Sequence, residues 1–290
     1  AIKDGARDGI NLLAVFSLIA ALVTGTLFIR RQRRLAEPMF DLTLFNKPSF
    51  SVSVAAMLLC ILALSGSWLM IFQFLQGVTG LSALHAGLVM LPAAVLQTAA
   101  SLLVPRLSRW LAPTRLISGG LLLAAGGLAL MLLIHADSSL ALMVTASVLL
   151  GVGVMPMMIM GTDLVIGSAP PEKTGAAAAT SETATELGMA MGIAVIGSVG
   201  ATLYRRSMEQ QLDGVLDSHQ LAVASDTIGG AMGVLSHLPS AQLDQVHAAV
   251  NSSFTLALHA NALIGVVIML GAALLVALCL RQTVGTGSGH

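Results

Sequence analysis

Between Lys47 and Arg106 the chain reads PSFSVSVAAMLLCILALSGSWLMIFQFLQGVTGLSALHAGLVMLPAAVLQTAASLLVP (48–105), 58 consecutive residues without a Lys, Arg, Asp or Glu. No soluble core needs such a run, because a water-facing surface would have to be made from it. A turn-like stretch, Gln76-Gly-Val-Thr-Gly80, divides it into two pieces. Each piece exceeds the ~20 apolar residues that cross a bilayer as a helix. The remainder agrees: of 290 residues 56% are hydrophobic and 10% charged, where a globular domain carries about 25% charged residues. The mean hydropathy is +0.89. The expected fold is an all-α polytopic membrane protein.

Working outward from that run, seven segments have spanning length: 10–29, 50–75, 86–105, 116–134, 139–162, 174–204 and 254–280. Small residues recur at helical spacing (Gly188/Gly192, Ala190/Ala194/Ser198), as expected where membrane helices approach closely. Seven spans put the termini on opposite sides. One set of connections holds Arg30, Arg31, Arg33, Arg34, Lys47, Arg106, Arg109, Arg115, Lys173 and Arg281, ten of the 14 basic residues, against Lys3, Arg7, Arg205 and Arg206 on the other. The basic side is expected to be cytoplasmic, with the C-terminus there. The outer segment 205–250 contains Glu209, Asp213, Asp217, Asp226 and Asp244; its spacing suggests short amphipathic helices, and a solvated loop is the simpler expectation.

Several function classes fall away. Fourteen basic residues balance fourteen acidic ones, so no net field attracts nucleic acid. Cys60 and Cys279 lie far apart inside apolar runs and read as buried hydrophobes. The seven histidines are scattered without metal-ligand spacing, and Gly151-Val-Gly153 leads to Pro156 rather than to the third glycine of a dinucleotide loop. Such Gly and Pro positions serve close packing and a kink. No enzyme chemistry, metal or organic cofactor is expected. The first residue is Ala and no signal peptide follows, so the chain reads as a piece of something longer.

The acids are the informative residues. Glu182 and Glu186 lie in Ala176-Ala-Ala-Ala-Thr-Ser-Glu-Thr-Ala-Thr-Glu-Leu-Gly188, otherwise small or apolar. At i and i+4 they share one helix face. From a start near Thr174 they would lie ~12 and ~18 Å deep, where a carboxylate costs at least ~2.5 kcal/mol. Two carboxylates away from water favour sharing a proton or a cation, the property an exchange site needs. The plain alternative is a helix end outside the membrane, the span starting at Leu187. Asp163, near the inner end of its span, is a third candidate, or a partner for Lys173. Trp68, Phe72 and Gln73 offer an aromatic face to a desolvated cation, or Trp68 is an interfacial anchor. Met189 is a further candidate substrate contact. Met155, Met157, Met158 and Met160 give a soft surface that adapts to ligands, or fill the core.

These residues carry a resemblance. Pro38-Met-Phe-Asp-Leu-Thr-Leu-Phe-Asn-Lys-Pro-Ser-Phe50 resembles the cytoplasmic link before the C-terminal bundle of fourteen-helix drug:proton antiporters. Phe74-Leu-Gln-Gly-Val-Thr-Gly-Leu-Ser-Ala-Leu-His-Ala-Gly-Leu-Val-Met-Leu-Pro92 is similar to their outer turn and following helix. Thr162-Asp-Leu-Val-Ile-Gly-Ser-Ala-Pro-Pro-Glu-Lys-Thr-Gly175, with Ser181-Glu-Thr-Ala-Thr-Glu-Leu-Gly188 and Gly192-Ile-Ala-Val-Ile-Gly-Ser198, looks like the run joining helices 12 and 13. Together they resemble the QacA/SmvA-like branch of that family within the major facilitator superfamily.

The resemblance implies one linker helix and basic link in residues 1–49, the six-helix C-terminal bundle in 50–281 and a cytoplasmic tail in 282–290. It implies a cell-membrane exporter of lipophilic or cationic drugs driven by the proton gradient, with acids at Glu186 and Glu182 handling cation and proton. Its partners would be small-molecule drugs, protons, membrane lipid and the N-terminal bundle of the same polypeptide. The loop Pro105–Arg115 departs from the superfamily pattern, with Arg109 and Ala112 where Asp and Gly are common. Two alternatives stay open: a dedicated exporter of one endogenous metabolite, and a non-transporting membrane scaffold.

Overall fold

The structure, a computed structural model, describes residues 12–32, 34–35 and 40–279, and all regular structure among them is helical. Helix α1 is Leu12–Gln32, α2 Pro48–Gln73, α3 Ala83–Leu107, α4 Pro113–Met131, α5 Leu140–Gly167, α6 Thr174–Leu212, α7 Ser218–Asp226, α8 Ile228–Leu235 and α9 Ser240–Cys279. Six helices among the described residues are long and apolar enough to cross a membrane: α2 with its π-helical extension (Pro48–Val78), α3, α4, α5, Pro171–Leu212 and Gln242–Cys279. The first expected span, 10–29, falls on α1 apart from residues 10 and 11, which lie outside the described residues along with the C-terminal tail.

Local chemistry sets the ends. Pro48 and Pro113 open α2 and α4, where the missing N–H is no loss and φ is already helical. The Ser82 hydroxyl caps α3 by accepting from the His85 N–H. The turn foreseen at residues 76–80 is the π-turn Phe74–Val78 followed by Gly80 at φ +67°, a backbone geometry that favours glycine.

Helix α2 is the hub, packed against α6, α9 and α5; α4 packs on α5 and α9, and α3 lies against α5. The α4–α5 seam is backbone on backbone: a Cβ added at Gly153 would sit 2.5 Å from the Ala124 nitrogen, and one at Gly120 would sit 2.5 Å from the Gly153 carbonyl. Gly151 lies under the Gln97 side chain and Pro156 packs on Gly120, so this glycine pair serves packing, as its sequence context indicated. Outward, Leu88, Leu91 and Val95 on α3 and Leu263, Val267, Leu270 and Leu274 on α9 are exposed, the apolar belt of a multi-pass membrane protein. Helix α1 exposes Phe16, Leu22 and Leu27; its basic end is tied to the link through Phe28 on Phe40, ring centroids 6.3 Å apart, and a bond from the Phe40 N–H to the Gln32 side chain.

The segment 205–250 differs from a solvated loop. Helix α6 runs on to Leu212, α7 and α8 follow, and α9 begins at Ser240. At ~1.5 Å per residue α6 and α9 are each nearly 60 Å long, far beyond a ~30 Å hydrocarbon core. The overhang is a helical hairpin pinned by Ser207, Gln211 and Ser253: the Gln211 amide donates to both hydroxyls (2.9 and 3.1 Å), which lie 2.8 Å apart. Ile228 of α8 fills the space over Gly77, and the Tyr204 hydroxyl donates to the Ala224 carbonyl.

Candidate functional site

Helix α6 presents two unlike faces. Gly188 and Gly192 lie against α2, facing the Leu58 carbonyl and the Leu62 carbonyl with Ser65 Oγ. Side chains any larger would push the helices apart. About a third of a turn around the helix, on an open face, stand Glu182, Glu186, Met189 and Ile193, all exposed, at i, i+4, i+7 and i+11, one stripe of a 3.6-residue helix. Among the described residues neither glutamate has an ion-pair partner. The start of α6 at Thr174 puts Glu182 and Glu186 ~12 and ~18 Å along the helix. Pro48 of α2 begins at the same height, because the two helices run parallel: Gly188 meets Leu58 and Ile61, Gly192 meets Leu62, and Gly200 meets Met70.

That register separates the expected site residues. Glu186 lies level with about Leu58, so Trp68 is some ten residues further along, ~15 Å toward the other end. Trp68 and Phe72 are half-buried and stacked on each other, centroids 5.8 Å apart; Gln73 is half-buried beside them. Met189 stays with the acids: its carbonyl accepts from Ser65 Oγ at 3.3 Å. The candidates thus form an acid patch and an aromatic patch on adjacent helices. Met157 and Met160 are core residues, while Met155 and Met158 are half-buried.

Asp163 is exposed. It does not pair with Lys173; the lysine is taken by Asp41, 2.6 Å away. Asp163 is instead one residue from a contact between α5 and α6, where the Thr162 and Ser181 hydroxyls approach to 3.4 Å. Glu182 flanks the same contact, so Asp163 and Glu182 border one helix crossing.

Sequence reading missed the clasp at the basic end. Asp41 caps the short 3₁₀ turn Leu42–Asn46, accepting from the Thr43 N–H and hydroxyl at 2.8 and 2.7 Å. Lys173 also donates to Thr43 Oγ1 at 2.8 Å, and Lys47 donates to the Ser168 carbonyl at 3.1 Å. The Lys173 ammonium, then the Thr43 hydroxyl, hold the Asp41 carboxyl below its ordinary value. Asp41, Thr43 and Lys47 stand in the quoted link, but nothing in the spacing connects them with Lys173.

At the opposite end a cleft of about 450 Å³ is lined by Arg205, Glu209, Ser225, Asp226, Thr227 and Gly230. Arg205 and Asp226 lie 3.6 Å apart across it, so its charges are largely answered within the chain. Among the described residues no group of three or more His, Cys, Asp or Glu could hold a metal ion.

Known proteins resemble this chain in sequence. The chain is 36% identical over 282 residues to the multidrug efflux pump LfrA of Mycolicibacterium smegmatis, covering 97% of this chain and 56% of LfrA. It is 29% identical over 264 residues to the methyl viologen resistance protein SmvA of Salmonella typhimurium, covering 87% and 51%. It is 28% identical over 258 residues to the tetracenomycin C resistance and export protein of Streptomyces glaucescens, covering 87% and 48%. The chain therefore spans about half the length of the curated relatives it matches. Residues 10–193, from α1 through the glutamate-bearing face of α6, match the Major Facilitator Superfamily, and the chain belongs to that superfamily of transporters.

Proposed function

We propose that this chain is the C-terminal part of a fourteen-helix, proton-coupled exporter of lipophilic cations in the cell membrane. In this reading α1 is a seventh span, and the end bearing Lys47, Arg106, Arg109, Arg115 and Lys173 faces the cytoplasm. The single observation that carries it is the two-faced α6: glycines against α2, and Glu182, Glu186 and Met189 on the face left open. A carboxylate ~18 Å into a membrane helix is stable only with a proton or a cation beside it. Since one carboxylate cannot hold both, cation entry expels the proton, and that competition is antiport. Methyl viologen resistance, named for one relative, supports a cationic substrate.

In this scheme Glu186 is the exchange site, and Glu182, one turn nearer the cytoplasm, adds the second charge that a dication uses. Asp163 borders the path at the α5–α6 crossing. Trp68 and Phe72, ~15 Å further out, receive the desolvated aromatic cation after it leaves the acids; Gln73 lines the same region. No organic cofactor is needed, the proton gradient supplying the energy.

The test is efflux of ethidium and methyl viologen from pump-deleted cells carrying the complete reading frame. Export that collapses when an ionophore removes the proton gradient is expected; export that persists would contradict the coupling. The similarity to a tetracenomycin C resistance and export protein favours a second reading, export of one endogenous metabolite. A susceptibility panel in which a single compound responds would select it.

A further inference from the structure

The link of residues 40–47 is fastened to the α5–α6 turn. Asp41 is 7% exposed, and its carboxylate is met by Lys173 Nζ at 2.6 Å and by two donors from Thr43. Beneath the pair, Leu44, Phe50, Val54, Val165, Ala177 and Ala184 form a buried cluster separate from the main core. Phe40, Phe45 and Phe50 continue as a ladder, centroids 5.7 and 5.2 Å apart, and Phe28 of α1 extends it.

Asp41 is covered but the Lys173 side chain is 40% exposed. A pair with one partner in solvent adds little stability, and the best-attested structural use of an ion pair is to fix one register among several. Helix α6 needs such a device. Its first turns are Gly175 and Ala176 to Ala179, without a side chain long enough to key into a neighbour. Further along, Gly188 and Gly192 set backbone against α2, where the Ser65 hydroxyl donates to the Met189 carbonyl and Ile196 packs over Gly66. These contacts lie past Glu186, and packed helices of this kind still slide by small shear motions. Lys173 is the residue immediately before α6, so whatever holds it sets the helix's height and rotation. Glu182 and Glu186 ride on the same rod, ~14 and ~20 Å from Lys173.

We propose that Asp41 and Lys173 are positioning residues: they hold α6 in the rotation that aims Glu182 and Glu186 along the transport path. The proposal rests on the proton-coupled reading of those two acids, but its reporter does not. A cysteine pair, Thr162→Cys with Ser181→Cys, reads the α5–α6 register directly, because their hydroxyls lie 3.4 Å apart one residue before Glu182.

The experiment uses the complete reading frame, with its native cysteines replaced, in membranes of pump-deleted cells. Asp41→Asn should slow disulfide formation by about fivefold and lower ethidium efflux by about tenfold, the scale of a lost charge-assisted bond. The reversed pair, Asp41→Lys with Lys173→Asp, should restore both to within about twofold, and Lys173→Arg should keep both, since the charge and donor remain. Should Asp41→Asn reduce the protein in the membrane, Thr43→Val takes its place, removing one partner of each charge, with an expected loss of about threefold in each readout. Unchanged cross-linking in these variants would overturn the proposal, as would efflux lost in the reversed pair while cross-linking recovers. Cross-linking that responds as expected in a protein whose unaltered form exports no cation would support the pin and count against the efflux reading.

Discussion

The α4–α5 and α2–α6 pairs use the same device to opposite ends. Both bring backbones into contact through glycine, Gly120, Gly127 and Gly153 in one and Gly188 and Gly192 in the other. The outer faces differ. Helix α4 turns Leu122 and Leu123 outward, side chains that lipid covers without cost. Helix α6 turns Glu182, Glu186 and Met189 to the open side. Close packing therefore does not mark function in this fold. In the proposed reading, what marks it is a pair of carboxylates kept on the open side of a closely packed membrane helix, where they are costly and stability gives no reason to keep them.

The harshest way to break this comparison is Gly153→Leu. Four carbons would be driven into the α4 backbone, at a penalty of ~3 kcal/mol or more. Little folded protein should reach the membrane, as measured by fluorescence-detected size exclusion. A normal yield would show that the α4–α5 seam is loose. Next comes Glu186→Gln. Yield should stay at the parent level, since Gln keeps the size and hydrogen bonding, while cation efflux should fall about fiftyfold, the equivalent of ~2.5 kcal/mol. Equal losses of yield and transport would make Glu186 a folding residue like Gly153. Glu182→Gln should be milder and selective, weakening export of the dication methyl viologen more than that of monovalent ethidium.

How far the sequence could be read divides along similar lines. Hydropathy located the α2–α3 turn at residues 76–80, because charge-free apolar runs broken by glycine have few other readings. The i, i+4 spacing put Glu182 and Glu186 on one face. It did not place helix ends beyond the apolar belt: Arg205, Arg206 and Glu209 read as the end of a span, yet α6 continues to Leu212. Hydropathy reports where lipid stops, and backbone hydrogen bonding continues past that point. Contacts between distant segments were not legible either. Lys173 read as a partner for nearby Asp163 but is held by Asp41. The offset between Trp68 and Glu186 depends on the α2–α6 register, which spacing within either helix does not contain.

Two smaller effects sharpen the contrast between the acid patch and its surroundings. Trp68→Ala should weaken ethidium export by about fivefold, the scale of one exposed cation–π contact, and leave proton release per cation unchanged. A changed proton count would move the exchange site outward. The smallest effect concerns the clasp. Lys173 and Thr43 bond the ionised Asp41, so its carboxyl lies below the usual 3.8. The native state therefore binds this proton less tightly than the unfolded chain does. Its contribution is complete above the ordinary carboxylate pKa and is lost as pH falls through the lowered one. Detergent-solubilised protein should lose melting temperature between about pH 4 and pH 3 more steeply than Asp41→Asn does, by about 2 °C. Parallel acid limbs in the two proteins would remove Asp41 from that account.

The most direct test is proton release from the purified complete protein on adding methyl viologen, with and without Glu182→Gln and Glu186→Gln together. The open face of α6 predicts a stoichiometric burst from the parent protein and none from the double variant, at equal folded protein. A burst of undiminished size from the double variant would contradict the assignment and leave the two glutamates as a polar edge with no part in exchange.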